Sequence, residues 1–267
     1  MSHDLKALTQ QLVGITREAG AFIHQEARAF DRGRIEYKDL NNLVSYVDKE
    51  AEKRLVERLS QLLPEAGFIT EEGTTGEQSD PNGLNWIIDP LDGTTNFIHQ
   101  LPIFCVSVGL TQHGKPIAGV IFDGNRNEVF SAWEGGGAYC NDEQIRVSPA
   151  QKLADSLIAT GFPYYRFEGM NKYLDILQSL MQKTHGLRRL GSAAIDLAYV
   201  ACGRFEAFYE YNLNSWDMAA GVVLVREAGG IVTDFYGGDE FLFRGDVIAG
   251  CAMQPELVAA IRDYWDR

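Results

Sequence analysis

Apolar residues recur every three or four positions along the first part of the chain, which is the spacing of one face of an amphipathic helix. The first series consists of Leu5, Leu8, Leu12, Ile15, Ala19, Phe22, Ile23 and Phe30. The second series, which predicts a helix ending near Pro64, consists of Val47, Ala51, Leu55 and Leu59. The polar stretch from Glu36 to Asn42 between them predicts a connection.

Short apolar runs bounded by turn residues follow, a pattern that is typical of β-strands. The predicted strands are Gly67 to Thr70, Trp86 to Ile88, Ile103 to Thr111, Pro116 to Phe122 and Glu128 to Trp133. We expect Asp89-Pro90 to end the second strand. The last three strands have short links, so they must be antiparallel. Two helices followed by these strands predict an α+β domain over residues 1–147.

The second half of the chain alternates between strands and helices. Its predicted strands are Ser156 to Thr160, Arg204 to Tyr209, Ile231 to Asp234 and Val247 to Ala249. Its predicted helices are Met170 to Gln182, Ser192 to Cys202, Ser215 to Ala228 and Pro255 to Tyr264. Alternation of this kind favours an α/β layer arrangement, which we assign to a second domain over residues 148–267.

Composition narrows the class of function. A net charge of −13 argues against general nucleic-acid binding, because phosphates would be repelled. A small phosphorylated substrate stays possible if bound metal ions reverse the local field. The sequence has no apolar run long enough for a bilayer and no signal-peptide pattern at its start, so we expect a cytoplasmic protein without a membrane partner. The four cysteines form no CxxC pair and are expected to be reduced.

Acidic residues fall at the predicted ends of elements, namely at Glu71, Asp89, Asp92 and Asp217. Carboxylates without nearby histidine or cysteine select hard divalent cations such as Mg²⁺. The three aspartates also have an ordinary explanation: Asp89 and Asp92 suit a solvated turn, and Asp217 suits a helix N-terminus. Jointly they favour a metal site, because buried acids cannot all be ionised without compensation.

Two glycine-led segments are candidates for ligand contact. If Gly93-Thr94-Thr95 opens a helix, its free N–H groups form an anion site and the Thr94 hydroxyl could orient a water molecule. Gly191-Ser192-Ala193-Ala194 is small enough to let a ligand approach the backbone, although ordinary helix packing explains it equally well. The neighbouring Arg188-Arg189 predicts a solvated pair.

Three strings together resemble the inositol monophosphatase family. They are Glu71-Glu72-Gly73, Asp89-Pro90-Leu91-Asp92-Gly93-Thr94-Thr95-Asn96-Phe97 and Trp216-Asp217-Met218-Ala219-Ala220-Gly221. The resemblance covers almost the whole chain, in order and at family-like spacing. It implies a layered αβαβα sandwich of the inositol monophosphatase and fructose-1,6-bisphosphatase type. It also implies a Mg²⁺-dependent phosphomonoesterase, usually a homodimer and often inhibited by Li⁺.

The resemblance assigns roles residue by residue. The metal ligands for two or three Mg²⁺ ions would be Glu71, Asp89, the carbonyl of Leu91, Asp92 and Asp217. The catalytic residues would be Glu71, through a third and largely hydrated ion, and Thr94 paired with Asp48 to orient the attacking water. Asp48 alone is explained by the helix dipole, so this role rests on the resemblance.

The same resemblance predicts the substrate contacts, which are Lys38, Asp92, Gly93, Thr94, Gly191, Ser192, Ala193, Glu210 and Asp217. Gly93 and Thr94 would receive the phosphate, and Glu210 matches a glutamate that binds inositol hydroxyls. Inositol 1-phosphate is therefore the favoured substrate. The alternatives are fructose 1,6-bisphosphate, 3′-phosphoadenosine 5′-phosphate and histidinol phosphate, or a protein-binding role in a transcription complex.

Overall fold

The structure, a computed structural model, describes residues 4–28, 35–39, 42–76, 79–163 and 165–266, and for residues 35–39 and 42–45 it describes the main chain only. The helices are α1 (Leu5–Arg28), α2 (Tyr46–Leu62), α3 (Thr94–Ile98), α4 (Met170–Lys183), α5 (Ala193–Ala201), α6 (Ser215–Glu227), α7 (Phe241–Arg244) and α8 (Gln254–Trp265).

The strands of the first half are β1 (Ile35–Asp39), β2 (Asn42–Ser45), β3 (Gly67–Thr70), β4 (Leu84–Asp92), β5 (Cys105–Gln112), β6 (Lys115–Asp123), β7 (Glu128–Trp133), β8 (Gly137–Cys140) and β9 (Glu143–Ile145). Those of the second half are β10 (Leu157–Thr160), β11 (Gly186–Arg188), β12 (Ala207–Glu210), β13 (Ile231–Thr233) and β14 (Val247–Gly250).

These strands form two large sheets and a two-stranded sheet of β1 and β2. The first sheet has the order β3-β4-β5-β6-β7-β8-β9 and is antiparallel except for the parallel pair β3 and β4. The second sheet has the order β11-β10-β12-β14-β13, in which β11, β10 and β12 run parallel. The antiparallel pairing predicted for β5, β6 and β7 is confirmed.

Helices cover both sheets and fill the space between them. Helices α1 and α2 pack on the first sheet, and α4 and α8 pack on the second. Between the sheets, α6 contacts β4, β5 and β6, and α5 contacts β12 and β14. This arrangement is the layered αβαβα sandwich that the resemblance implies. The boundary between residues 1–147 and 148–267 stays a prediction.

Two glycines of the first sheet contact α6 and set the distance between this helix and the sheet. Gly109 and Gly119 face each other on β5 and β6. A Cβ added at Gly109 would lie 2.8 Å from the Ala219 Cβ, and one added at Gly119 would lie 2.6 Å from the Ala220 Cα. Larger residues in the sheet would lift the helix, and with it Asp217 at the start of the helix.

Several predicted boundaries change in the structure. The second strand does not end at Asp89-Pro90, since β4 continues to Asp92 with an irregular register between Asp89 and Asp92. Bulges of this kind occur where a strand must redirect a side chain. The predicted polar connection, Glu36 to Asn42, overlaps β1 and β2, which pair with each other antiparallel. The short elements β8, β9, β11 and α7 were not predicted.

Two expectations from composition can be compared with the fold. All four cysteines are free, with Cys105 and Cys251 buried. In the described parts of the chain, no helix combines the length and the apolar character needed to cross a membrane.

Candidate active site

Three aspartates converge at the end of β4. Asp89 and Asp92 come from the bulged end of this strand, and Asp217 comes from the first turn of α6. One carboxylate oxygen of each lies within 4.8 Å of the others. Such close like charges repel each other unless protons or a cation compensate them.

Asp89 is held by the strand end itself. Its Oδ1 accepts a hydrogen bond of 2.9 Å from the Leu91 N–H, which closes a turn over Pro90. The side chain is 2% exposed. Burial, followed by the negative charge of Glu71, raises the pKa of Asp89 well above its usual value. The charged form is therefore disfavoured without a cation.

Asp92 connects the first sheet to the start of α5. Its Oδ2 accepts hydrogen bonds from the Ser192 hydroxyl at 2.6 Å and from the Ala194 N–H at 2.7 Å. Ser192 also caps α5, because its hydroxyl accepts from the Ile195 N–H at 3.3 Å. Burial raises the pKa of Asp92, and these donors partly oppose the shift. Ser192 thus contacts the cluster through Asp92, and its predicted contact with substrate stays a prediction.

Asp217 has both of the roles that its sequence position allows. Its Oδ2 accepts a hydrogen bond of 2.6 Å from the Asn214 N–H, as an acid in the first turn of a helix commonly does. It also belongs to the cluster with Asp89 and Asp92. Burial, followed by the charge of Asp92, raises the pKa of Asp217 to about 7.

Glu71 lies beside this cluster, at the end of β3. Its side chain shares a hydrogen bond with Asp89, and burial followed by the charge of Asp217 raises the pKa of Glu71 well above its usual value. The turn that carries it is held by Glu52 of α2, a buried residue that the sequence analysis missed. Glu52 accepts hydrogen bonds of 2.7 Å each from the Glu72 N–H, the Thr74 N–H and the Thr74 hydroxyl.

Thr94 and Asp48 form the predicted pair. The Thr94 hydroxyl lies 2.8 Å from Asp48 Oδ1 and 3.0 Å from the Leu91 carbonyl oxygen. Asp48 is 1% exposed. Because the hydroxyl donates its only hydrogen to one of these acceptors, its lone pairs can accept a hydrogen bond from a water molecule.

Glycine is needed at the turn between β4 and α3. Gly93 has a φ of 93°, and a Cβ there would lie 2.8 Å from the Ile103 carbonyl oxygen. Asn96 holds the turn against the α5 end of the site. Its Nδ2 donates to the Ile103 carbonyl at 2.8 Å and to the Leu190 carbonyl at 2.9 Å.

Glu210 lies at the end of β12, on the second-sheet side of the site. Burial raises the pKa of Glu210 to about 8, opposed by the positive charge of Arg189 and increased by the charges of Asp217 and Asp92. The prediction of a solvated arginine pair is wrong for Arg189. Arg188 is exposed, but Arg189 is half-buried and its guanidinium lies 5.4 Å from the centre of the Phe162 ring.

The structure therefore brings most of the predicted residues to one place. Lys38 is the exception: its side chain lies outside what the structure describes, although its main chain belongs to β1. Another acid, Asp196 in α5, was missed; it is 1% exposed, and burial followed by the charge of Glu210 raises its pKa well above the usual value.

The donor set fits hard divalent cations. It consists of carboxylate oxygens with backbone carbonyl oxygen nearby, and within the described residues the cluster contains no histidine or cysteine ligand. Mg²⁺ and Ca²⁺ prefer such oxygen ligands, whereas Zn²⁺ commonly takes nitrogen and sulfur. Burial and the neighbouring negative charges raise the pKa of Glu71 and of Asp89, so the protein itself disfavours their shared negative charge. A bound cation would remove that penalty.

The chain matches the inositol monophosphatase family over residues 4–266. The inositol-1-monophosphatase of Mesorhizobium japonicum is 40% identical over 257 residues, or 96% of each protein. The Nus factor SuhB of Escherichia coli K12 is 41% identical over 249 residues, covering 93% of this chain and 92% of that protein. The extragenic suppressor protein suhB of Bartonella henselae has a crystal structure that matches with a TM-score of 0.89 at 40% identity, covering 96% of this chain and 98% of that one.

The αβαβα layers, with converging carboxylates beside an Asp–Thr pair, define a class of metal-dependent phosphatase folds. This chain belongs to the inositol monophosphatase family, as the match over nearly its whole length shows. The resemblance found from the three sequence strings is thereby confirmed.

Proposed function

We propose that the protein is a Mg²⁺-dependent phosphatase that hydrolyses inositol 1-phosphate to inositol and phosphate. The observation that carries the proposal is the convergence of Asp89, Asp92 and Asp217 beside the Thr94–Asp48 pair. Glu71, Asp89, Asp92, Asp217 and the Leu91 carbonyl would hold two or three ions. When bound, Mg²⁺ supplies polarisation of the phosphoryl oxygens and stabilises the leaving alkoxide.

Residues of the chain would orient the attacking water and bind the phosphate. The Thr94 hydroxyl accepts a hydrogen bond from the attacking water and donates its own hydrogen to Asp48, which orients the water for in-line attack. As the water attacks, its proton passes to the Thr94 oxygen and the Thr94 hydroxyl proton passes to the Asp48 carboxylate. The N–H groups of Gly93 and Thr94 bind the phosphate at the turn that Gly93 permits. Gly191, Ser192 and Ala193 shape the wall next to it.

The choice of inositol as the alcohol rests on Glu210. Among the described residues, no donor makes a hydrogen bond to its carboxylate, so both oxygens are available to hydroxyls of a substrate. The Mesorhizobium japonicum relative is named inositol-1-monophosphatase, which supports the same substrate. The remaining family expectations, a homodimer in the cytoplasm that Li⁺ inhibits, belong to this proposal.

A substrate panel tests this proposal. With Mg²⁺, inositol 1-phosphate should have a higher kcat/KM than fructose 1,6-bisphosphate, 3′-phosphoadenosine 5′-phosphate and histidinol phosphate. A higher kcat/KM for a different ester would refute inositol 1-phosphate as the substrate but would still support a phosphatase. Absence of phosphate release from every ester would refute the enzyme proposal.

A binding role in a transcription complex is the second candidate, favoured by relatives that carry the name Nus factor SuhB. Such a role would not depend on the metal cluster. If the protein acts through catalysis, a strain carrying Asp92→Asn should resemble a strain that lacks the gene. If it acts through binding alone, the Asp92→Asn strain should resemble the wild type. A pull-down with the same variant shows whether protein contacts survive without the cluster.

A further inference from the structure

The parallel strands of the second sheet bring three residues to one edge of the site. Thr160 of β10 pairs with Tyr209 of β12, so Gly161 and Glu210 follow side by side. On the other side of β10, Ala159 pairs with Arg188 of β11, which places Arg189 next along the same edge. Ligands of α/β sheets bind outside such carboxyl ends of parallel strands.

Gly161 lies directly under the Glu210 carboxylate. A Cβ added at Gly161 would lie 2.0 Å from Glu210 Oε2 and 2.2 Å from its Cδ. The φ of Gly161 is not positive, so its backbone accepts any residue. Space for the carboxylate is therefore the reason that the structure gives for glycine here.

Two buried hydrogen bonds anchor the main chain around Gly161. The buried Tyr173 hydroxyl donates to the Gly161 carbonyl at 2.5 Å. The buried Thr160 hydroxyl donates to the Tyr209 carbonyl at 2.9 Å, which anchors the residue before Glu210. A methyl group at Gly161 would consequently displace the Glu210 carboxylate, the end of a flexible side chain, and leave the backbone in place.

We propose that Gly161 is a positioning residue that sets substrate specificity through Glu210. By leaving space for the carboxylate, it directs the two oxygens of Glu210 to hydroxyl groups of a polyol phosphate. Arg189 follows β11 at the same edge, with its guanidinium 5.4 Å from the centre of the Phe162 ring. The inference rests on the proposed phosphatase function and adds that the space beside Gly161 determines where Glu210 meets the substrate.

The test compares two esters in a double-mutant cycle. The esters are inositol 1-phosphate and phenyl phosphate, which has no hydroxyl on its leaving group. Gly161→Ala should lower kcat/KM for inositol 1-phosphate by up to about tenfold, mainly through KM, because the displaced Glu210 side chain loses a hydrogen bond to the substrate. Its kcat/KM for phenyl phosphate should stay within about twofold, because nothing in that ester uses Glu210.

The cycle is completed in a Glu210→Ala background, where Gly161→Ala should have no further effect on inositol 1-phosphate. Gly14→Ala is the matched control, since no atom lies within 4 Å of a Cβ added at this exposed glycine of α1. The inference is overturned if Gly161→Ala leaves kcat/KM for inositol 1-phosphate unchanged, lowers both esters equally, or has its full effect without Glu210.

The two proposals fail in different ways. Wild-type protein that hydrolyses no ester refutes the phosphatase function, and the inference about Gly161 with it. Wild-type protein that hydrolyses inositol 1-phosphate, together with an unchanged Gly161→Ala variant, refutes only the inference. Thermal unfolding of each variant identifies any loss of activity that comes from misfolding.

Discussion

Glu52 should control the metal site from a distance, although it does not belong to the aspartate cluster. Its carboxylate accepts hydrogen bonds from the Glu72 N–H and from two donors of Thr74, all at 2.7 Å. Glu52→Gln keeps the shape but leaves only one acceptor oxygen. Either the Glu72 N–H or the Thr74 donors then lose their acceptor, and the turn that carries Glu71 loosens.

The expected loss is at least one hydrogen bond to a charged, fully buried acceptor, about 1.5–3 kcal/mol in the free energy of unfolding for each bond. Urea unfolding without metal, followed by far-UV circular dichroism, measures it. Because Glu71 is displaced, the Mg²⁺ concentration for half-maximal activity should also rise. The matched control is Glu57→Gln on the same helix, since Glu57 is exposed. Equal unfolding midpoints and equal Mg²⁺ dependence for the two variants would refute the reasoning.

Three further predictions concern the same site. Gly93→Ala forces a positive φ on alanine and a 2.8 Å contact with a carbonyl oxygen, so unfolding should show a loss of about 1–3 kcal/mol; an unchanged stability would contradict it. Thr94→Val keeps the shape without the hydroxyl, so kcat should fall about a hundredfold with little change in Mg²⁺ binding by calorimetry; an active variant would exclude the water-orienting role. Without metal, the cluster's contribution to stability should fall as pH rises from about 4 to about 7, because the pKa of Asp217 is raised from 3.8 to about 7 and the folded protein holds a proton that the unfolded chain has lost. The melting temperature should therefore decline over this pH range, and Mg²⁺ should abolish the decline. An identical dependence of melting temperature on pH with and without Mg²⁺ would contradict this prediction.

The sequence predicted the parts of the site that lie close together in the chain. Asp89, Asp92, Gly93 and Thr94 fall within six residues, and the chemistry of a turn with two acids can be inferred without a fold. Asp217 is remote, but its place in the first turn of a predicted helix suggested both a cap and a ligand. The structure shows that the Asp217 carboxylate accepts the capping hydrogen bond and also lies in the aspartate cluster.

The parts that the sequence did not predict depend on contacts between distant elements. Glu52 occupies a helix position where an acid is ordinary, and only the packing of α2 against the Glu72 turn shows its use. Arg189 follows another arginine, a pattern that is typical of solvated residues, and only the pairing of β11 with β10 shows that it lies at the edge of the site. Gly161 has no signal in the sequence, because the carboxylate above it belongs to a strand almost fifty residues away.

The most direct measurement of the central claim is Mg²⁺-dependent phosphate release from inositol 1-phosphate by wild type and Asp92→Asn. We predict that the wild type releases phosphate and that the variant is at least about a hundredfold slower. The variant should still unfold cooperatively, and Asp175→Asn, on the exposed side of α4, should retain full activity. Phosphate release by Asp92→Asn at the wild-type rate would contradict the assignment of the aspartate cluster as the catalytic metal site.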